Sequence, residues 1–224
     1  MLAAGALLLA ATPGAGMSNV MAAVAHANVA LSVTLTALAS LLAVVTLPAV
    51  AALGISIFVG DGVEVDVPVT TLMFQMVVFL ALPIGAGMLV RARKAEASKR
   101  YVSRANRIAV IGILVATVLG ALSNDGSLPA GSEFASAALA GAAWTLCAMA
   151  IGWGLGTLLD LDANDRFTFL IEFSARNLAM TIIVAVASLG SLDLGVFAAA
   201  YSMTGFPLVL LLSLLRGRMA RSAE

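Results

Sequence analysis

The chain has 224 residues, of which 62% are hydrophobic and 11% charged, and its formal net charge is zero. A soluble domain carries about 25% charged residues, so this composition leaves too little polar surface for a water-soluble globule and indicates a membrane protein. The single cysteine and single histidine exclude a disulfide framework and a Cys/His metal cluster. The basic residues are too few, and lie too close to apolar runs, to support nucleic-acid binding.

The apolar runs predict an all-α polytopic membrane protein with about seven membrane elements, because a helix crosses the hydrocarbon core in about 20 residues. The first element, residues 2–12, is too short to span, and the segment TPGAG at residues 12–16 interrupts it. We predict that a second half-helix starts there with Ser18 as its N-cap. Six longer runs follow, near residues 28–59 (with a bend at Pro48), 67–90, 105–123, 134–159, 167–189 and 194–215.

Basic residues mark one side of the predicted bundle as cytoplasmic. We therefore expect an integral protein of the cell (inner) membrane with a cytoplasmic C-terminus. The turn at residues 26–28 then also lies inside and Met1 outside, so we expect further spans upstream of this chain. The basic residues are Arg91, Arg93, Lys94, Lys99, Arg100, Arg104, Arg107, Arg166, Arg216, Arg218 and Arg221, and the loops of the other side carry Asp61, Glu64, Asp66, Asp125, Glu133 and Asp193.

A second interruption is predicted at residues 172–177, inside an apolar run. Its Glu172 and Arg176 are the only charges at membrane depth, where a charge costs about 2.5–3.5 kcal/mol and usually has a function. A purely structural salt bridge is the alternative, since residues four apart on a continuous helix share a face. Two broken helices that cross can hold ions at their free ends, and we expect these two to cross.

Polar residues recur at intervals of four on the first long run, at Asn28, Ser32 and Thr36. Such side chains either bond to their own backbone or line a cavity. Hard cations prefer several oxygen ligands, and a set suited to sodium is available from Ser18, Asn19, Ser32, Thr36 and Glu172. A polar patch at residues 201–205 of the last run either lines a cavity or reflects a kink before Pro207.

Three segments resemble the bile acid:sodium symporter family. They are GMSNVM at residues 16–21, NVALSV at residues 28–33 with Thr36, and EFSARNLA at residues 172–179. The resemblance implies the fourth to tenth helices of an inverted-repeat transporter of about ten helices. Residues 1–59 then end the first repeat, residues 67–215 form the second, and residues 216–224 are a cytoplasmic tail, all within one transmembrane domain. It further implies symport of sodium, as coupling ion, with a bile acid or another organic anion.

Carried over to this chain, the resemblance implies a sodium site made of Ser18, Asn19, Ser32, Thr36 and Glu172. A second sodium site uses Glu172 with backbone oxygens near Phe173 and Ala175, and Asn177 faces the substrate. Arg176 stands where the family motif has glutamine, and Ser174 where it has glycine. We therefore predict that Arg176 pairs with Glu172, that the second sodium site is lost, and that Arg176 acts as a tethered cation or binds the anionic substrate.

Other functional classes stay open at this point. A channel or sodium-independent facilitator would not accumulate its substrate against a gradient, and a truncated, non-transporting remnant would move none. An intramembrane enzyme using Glu172 as acid or base is disfavoured, because no partner nucleophile or second acid is recognisable at depth. We expect no enzymatic activity and no cofactor, with the lipid bilayer, sodium and an organic anion as the only partners predicted. The identity of the substrate and the oligomeric state are left open.

Overall fold

A computed structural model of the protein describes residues 1–58, 69–78, 82–93 and 131–222, and every regular element in these ranges is helical. The helix breakers Pro13 and Gly14 separate the first two helices, and residues 175–177 separate α7 from α8. In chain order the helices are α1 (Leu2–Ala11), α2 (Gly16–Val24), α3 (Val29–Phe58), α4 (Val69–Met76), α5 (Leu82–Arg93), α6 (Gly131–Leu158), α7 (Ala163–Ser174), α8 (Leu178–Ile182) with a π-helical continuation (Ile183–Ser188), α9 (Leu192–Met203) and α10 (Gly205–Ser222).

Within the described residues, three helical stretches are long and apolar enough to cross a membrane: Val29–Phe58, Ala135–Leu158 and Leu192–Ser222. Two shorter apolar helices, Leu2–Ala11 and Leu178–Ser188, belong to the broken elements. The chain is an all-α membrane protein, as predicted. The expected run near residues 105–123 lies outside the described residues, and the run near 67–90 is described only as α4 and α5.

The long helix α3 shows how the bundle is turned toward lipid. Leu38, Leu41 and Leu42 are 54%, 62% and 65% exposed, while Ser32 and Thr36 on the same helix are buried. A helix at the edge of a membrane bundle presents apolar side chains to the lipid and keeps its hydroxyl groups toward the protein interior. It leaves the polar face of α3 toward the interior of the protein.

Close packing of α6 on α7 positions the second broken helix. A Cβ added at Gly152 would lie 2.6 Å from the carbonyl oxygen of Phe169, and one added at Gly156 would lie 2.9 Å from the Cα of Arg166. These two glycines let the helix backbones approach, as small residues do in membrane bundles. The α7 backbone that carries Glu172 is therefore held against a long helix.

The last predicted span is interrupted at Thr204, between α9 and α10. Pro207 lies in the first turn of α10, where its missing N–H leaves no helical bond unmade. The predicted kink is thus a break that precedes the proline. Residues 216–222 of the predicted tail are helical, because α10 continues to Ser222.

Three segments meet at one end of the bundle. Arg216 Nη2 donates to Asn164 Oδ1 at 2.7 Å, and its guanidinium carbon lies 4.2 Å from the centroid of the Phe167 ring. Asn28 Nδ2 donates to Asp165 Oδ1 at 2.8 Å. The turn before α3, the start of α7 and the end of α10 therefore share a side, as the charge pattern predicted. That this side is cytoplasmic stays a prediction.

Candidate functional site

The two helix breaks meet and cross. Gly14 and Arg176 form an isolated antiparallel bridge. The Asn177 N–H donates to the carbonyl oxygen of Pro13 at 3.1 Å, and the Ala15 N–H donates to that of Ala175 at 3.4 Å. At each break, backbone N–H and C=O groups lose their partners within the helix. Here they form hydrogen bonds with the backbone of the other break, which satisfies them inside a membrane. The expected crossing is confirmed.

The first break is set by local sequence. Pro13 cannot continue α1, and Thr12 takes an extended conformation with its hydroxyl donating to Leu9 O at 2.7 Å. The second half-helix then begins at Gly16 with Ala15 as its N-cap. The prediction that Ser18 is the N-cap is wrong, because the N-cap is Ala15, three residues earlier. Ser18 lies in the first turn and donates to Ala15 O at 2.7 Å.

Tyr201 from α9 holds the second break in place. Its hydroxyl donates to Ser174 O at 2.6 Å and accepts the Arg176 backbone N–H at 3.2 Å. The side chain is fully buried, and its ring lies edge-on to that of Trp144 with centroids 5.7 Å apart. The Tyr201 hydroxyl therefore satisfies one carbonyl and one N–H that lack helical partners at the break, those of Ser174 and Arg176. The sequence suggested a cavity or a kink here, and a tyrosine in an apolar span was the only signal of this role.

Asn177 is the N-cap of α8. Its side-chain oxygen accepts the Met180 N–H at 3.1 Å. This cap uses the amide oxygen, so the two amide N–H donors are the groups that a ligand can take. The predicted substrate-facing residue therefore sits at a helix N-terminus, where the helix dipole favours an anion.

A cluster of side-chain oxygens surrounds the carboxylate of Glu172, a residue that is 7% exposed. Ser32 Oγ donates to Glu172 Oε1 at 2.5 Å, and Thr36 Oγ1 donates to Oε2 at 2.9 Å. Ser18 Oγ lies beside the carboxylate and 3.4 Å from Thr36 Oγ1, and Asn19 Oδ1 lies 2.7 Å from Ser32 Oγ. We call this set the oxygen cluster: Ser18, Asn19, Ser32, Thr36 and Glu172, the five residues that the sequence predicted as a sodium site.

Hydrogens are scarce in the oxygen cluster. A hydroxyl carries one hydrogen, yet Ser32 Oγ contacts two acceptor oxygens, those of Asn19 and Glu172. The Ser18 hydroxyl likewise has one hydrogen for two acceptors, Ala15 O at 2.7 Å and the Glu172 carboxylate. Oxygen lone pairs therefore outnumber the hydrogens that can pair with them, and this is a chemical environment that favours a cation.

Two features of the fold bring these oxygens together. The interval of four on α3 places Ser32 and Thr36 on the face that meets α7. Gly14 permits the approach from the first break, since a Cβ there would lie 2.5 Å from Glu172 Oε2. Asn28, the first member of the predicted stripe, makes other contacts: its Oδ1 accepts the Leu31 N–H at 3.1 Å at the start of α3.

Arg176 does not pair with Glu172 as predicted. Its Nη1 donates to the carbonyl oxygen of Thr12 at 3.1 Å, and the ion pair found among the described residues is Arg166 with Asp160, 3.7 Å apart. The pairing was predicted from the resemblance, in which Arg176 replaces the motif's glutamine, but the extended residues 175–177 turn Arg176 off the face of Glu172. The two charges still interact through space. Arg176 Nε is buried and has no hydrogen-bond partner within the described residues.

The ligand chemistry distinguishes among metal ions. No group of three or more His, Cys, Asp or Glu residues occurs in the part of the chain that the structure describes. One carboxylate combined with hydroxyl and amide oxygens is a set of hard, mostly neutral ligands with a single negative charge. This set fits a hard monovalent cation better than zinc, which prefers nitrogen and sulfur.

Comparison with known families identifies one match. The model described as "Sodium Bile acid symporter family" matches residues 1–128, which is 128 of the 224 residues and more than half of the chain. The matched range includes Ser18, Asn19, Ser32 and Thr36, while Glu172 and Arg176 lie beyond it. A search of curated proteins found no match.

Proposed function

Since the chain belongs to the sodium bile acid symporter family, we propose that it is a secondary active transporter that couples sodium to the movement of an organic anion. The observation that carries this proposal is the oxygen cluster: a buried carboxylate with four neutral oxygen-bearing side chains contributed from both broken elements and α3.

Charge and ligand type support the proposed sodium binding at the oxygen cluster. A buried carboxylate is costly unless a positive charge accompanies it, and no guanidinium or ammonium within the described residues contacts Glu172. A sodium ion supplies that charge and takes the lone pairs that lack hydrogens. Ser18, Asn19, Ser32, Thr36 and Glu172 are the proposed ligands.

The organic anion is proposed to bind at Arg176 and Asn177, next to the crossing. A guanidinium has five N–H donors, of which one is used by Thr12 O, and Nε–H has no partner among the described groups. The Asn177 amide adds N–H donors at the start of α8. Planar N–H pairs of this kind suit a carboxylate or sulfonate, so the proposed substrate is a bile-acid-like molecule or a small carboxylate.

Coupling between the two ligands arises from the charge of the site. Without sodium, Glu172 and Arg176 sum to zero, and an added organic anion is not favoured. With one sodium bound the sum is one positive charge, which an organic anion neutralises. Each ligand thereby raises the affinity for the other, as thermodynamic linkage requires.

Two observations support the proposal that the family's second sodium site is altered here. The Ala175 carbonyl oxygen, one of its implied ligands, accepts the Ala15 N–H at 3.4 Å. The next residue is the positively charged Arg176, which would repel a sodium ion at this position.

Transport by the full chain in liposomes tests the proposal. Uptake of radiolabelled taurocholate, a bile acid, and of radiolabelled pyruvate, a small carboxylate, is measured with an inward sodium gradient and with choline in its place. We expect one of the probes to accumulate above its equilibrium level with sodium only. Uptake that merely equilibrates, equally in both salts, would indicate a sodium-independent facilitator and contradict the proposal.

A further inference from the structure

The contact between α3 and α7 is polar from the oxygen cluster to one end of the bundle. One turn of α7 before Glu172, the Thr168 hydroxyl accepts the Asn28 backbone N–H at 3.0 Å. About one turn further, Asp165 Oδ1 accepts from Asn28 Nδ2 at 2.8 Å. Asn28 in turn lies four residues before Ser32, which donates to Glu172 Oε1. Polar groups thus follow one another at intervals of about one helical turn, and we call this line the polar seam: Asn28, Ser32, Asp165, Thr168 and Glu172.

The polar seam continues in one direction only. Toward the other end of α3, the last buried hydroxyl is that of Ser40, and it donates to the backbone of its own helix. The buried side chains that follow on α3 are apolar and include Ala43, Leu47 and Ala51. A cation that left the oxygen cluster in that direction along α3 would lose its oxygen contacts, which is costly for a charge inside a protein.

Apolar packing also closes the side of α7 that faces away from α3. Buried residues of α2, α7 and α10 form one hydrophobic cluster there, which includes Met21, Ala25, Phe167, Ile171 and Val209. A bare ion does not cross such a core, because nothing in it replaces the water that the ion gives up. Among these directions, the polar seam is the one that offers an ion oxygen atoms between Glu172 and the end of the bundle.

Asp165 lies where the polar seam approaches water. The residues just before it, Ala163 and Asn164, are exposed, and Asp165 itself is half-buried. The start of α7 is already capped by Asp162, so the Asp165 side chain is not needed as a helix cap. No arginine or lysine in the described ranges forms an ion pair with Asp165. A carboxylate in this position attracts cations from solution and raises their local concentration.

We propose that the coupling cation enters and leaves the oxygen cluster along the polar seam. In this proposal, which rests on the proposed function, Asp165 attracts the ion and the Asn28 amide closes its path. The seam is closed in this structure, because Thr168 is fully buried and Asn28 Nδ2 is bonded to Asp165. An incoming cation takes the Asp165 carboxylate from the amide and reaches Glu172 about 10 Å further along α7. Asp165 therefore controls how fast the ion exchanges, and Glu172 controls how tightly it binds.

Sodium exchange on the purified full chain tests the inference. Sodium-23 NMR relaxation gives the rate of exchange between free and bound sodium, and equilibrium binding of radioactive sodium gives the affinity. Asp165→Asn removes the charge and keeps an oxygen for Asn28. Asn28→Ser removes the amide donor and keeps an oxygen that can cap α3 at the Leu31 N–H. Asp165→Glu keeps the charge, and Asp193→Asn is the matched control, because Asp193 is an exposed acid in the first turn of α9.

We expect Asp165→Asn to exchange sodium roughly 10-fold more slowly, because the carboxylate stabilises the ion on its way in and on its way out. Its affinity should stay within about 2-fold of wild type, since salt screens charges that are about 10 Å apart near water. Asn28→Ser should exchange sodium faster than wild type. Asp165→Glu and Asp193→Asn should exchange it at the wild-type rate.

A polar seam that only holds α3 and α7 together gives a different pattern. Asp165→Asn then binds sodium more weakly without slower entry of the ion, and that result would overturn the inference. An exchange rate that is unchanged in both Asp165→Asn and Asn28→Ser would overturn it as well. If Asp165→Asn does not fold, Asn28→Ser decides, because exchange there that is not faster than wild type overturns the inference. Failure of the proposed function is recognised separately, by a wild-type chain that binds no sodium.

Discussion

Glu172 and Arg176 come from one broken helix, yet their surroundings are opposite in kind. Glu172 is surrounded by oxygens of Ser18, Asn19, Ser32 and Thr36, which share too few hydrogens. Within the described residues, the Arg176 guanidinium donates to one backbone oxygen, Thr12 O at the end of α1. A buried carboxylate among neutral lone pairs recruits a mobile cation, whereas the guanidinium at the helix end is itself a fixed cation with an N–H donor that has no partner among the described groups. Under the proposed function, the first side of the crossing therefore exchanges a cation, and the second holds a fixed positive charge for the organic anion.

The largest expected effect is the loss of sodium affinity when the Glu172 carboxylate is removed. Glu172→Gln keeps the shape of the side chain and loses its charge, so we expect sodium affinity to fall roughly 100-fold, since losing a buried charged partner costs about 3 kcal/mol. Sodium activation of uptake in liposomes measures the affinity. Asp193→Asn, an equivalent change at an exposed acid of α9, should leave it unchanged. Equal losses in both variants would contradict a specific role for Glu172.

The next largest expected effect is a loss of stability at the second break when the Tyr201 hydroxyl is removed. Tyr201→Phe leaves Ser174 O and the Arg176 N–H without their partner, at a cost of about 2 kcal/mol for unpaired buried groups. The unfolding midpoint should fall by roughly 4–8 °C for a chain of this size. Ser202→Ala, which removes an exposed hydroxyl from the neighbouring position of α9, is the control. A midpoint that does not change in Tyr201→Phe would show that the phenol does not hold the break.

A smaller effect is expected from crowding the carboxylate. An added Cβ at Gly14 would lie 2.5 Å from Glu172 Oε2 and 3.4 Å from Thr36 Oγ1, while one at Gly16 meets nothing within 4 Å. In Gly14→Ala the carboxylate must move, because it is the flexible end of its side chain. We expect about 10-fold weaker sodium activation, or about 1.4 kcal/mol, and no change for Gly16→Ala. If the two alanine variants behave alike, the carboxylate does not need its position beside Gly14.

The smallest of these effects is expected from one hydroxyl of the oxygen cluster. Thr36→Ala removes a hydrogen bond to Glu172 Oε2 and a proposed sodium ligand, which is worth about 1 kcal/mol or roughly 5-fold in affinity. Thr34→Ala is a matched control, because Thr34 is exposed on the same helix and bonds only to Ala30 O within the described residues. Sodium titration of the unfolding midpoint compares the two. A larger loss in Thr34→Ala than in Thr36→Ala would contradict the assignment of the polar face of α3.

Features that depend on neighbouring residues were predictable from the sequence. Pro13 and Gly14 indicate the first break, and the charged segment at residues 172–177 indicates the second. The interval of four predicts that Ser32 and Thr36 share a face of α3. The preference of hard cations for oxygen ligands grouped Ser18, Asn19 and Glu172 with these two residues, and the family resemblance implied the same set. The structure places all five side chains together. Their sodium-binding role stays a prediction.

Features that depend on distant contacts were not predictable in this way. The pairing of Glu172 with Arg176 follows from helical spacing only if the helix is continuous, and the extended residues 175–177 remove that condition. Ser18 resembles an N-cap, but the start of α2 is set by the crossing, where Ala15 binds Ala175. Tyr201 reaches the second break from another helix, and no local rule relates a residue to a partner 25 positions away.

Equilibrium binding of radioactive sodium to the purified full chain tests the central claim most directly, because it needs neither a known substrate nor a transport assay. Wild-type protein and Glu172→Gln are compared over a sodium concentration series at constant ionic strength. The proposed site predicts saturable binding of one sodium ion per wild-type chain and binding roughly 100-fold weaker in Glu172→Gln. Sodium binding that is absent from the wild type, or that persists unchanged in Glu172→Gln, would contradict the claim that the oxygen cluster is the coupling-ion site.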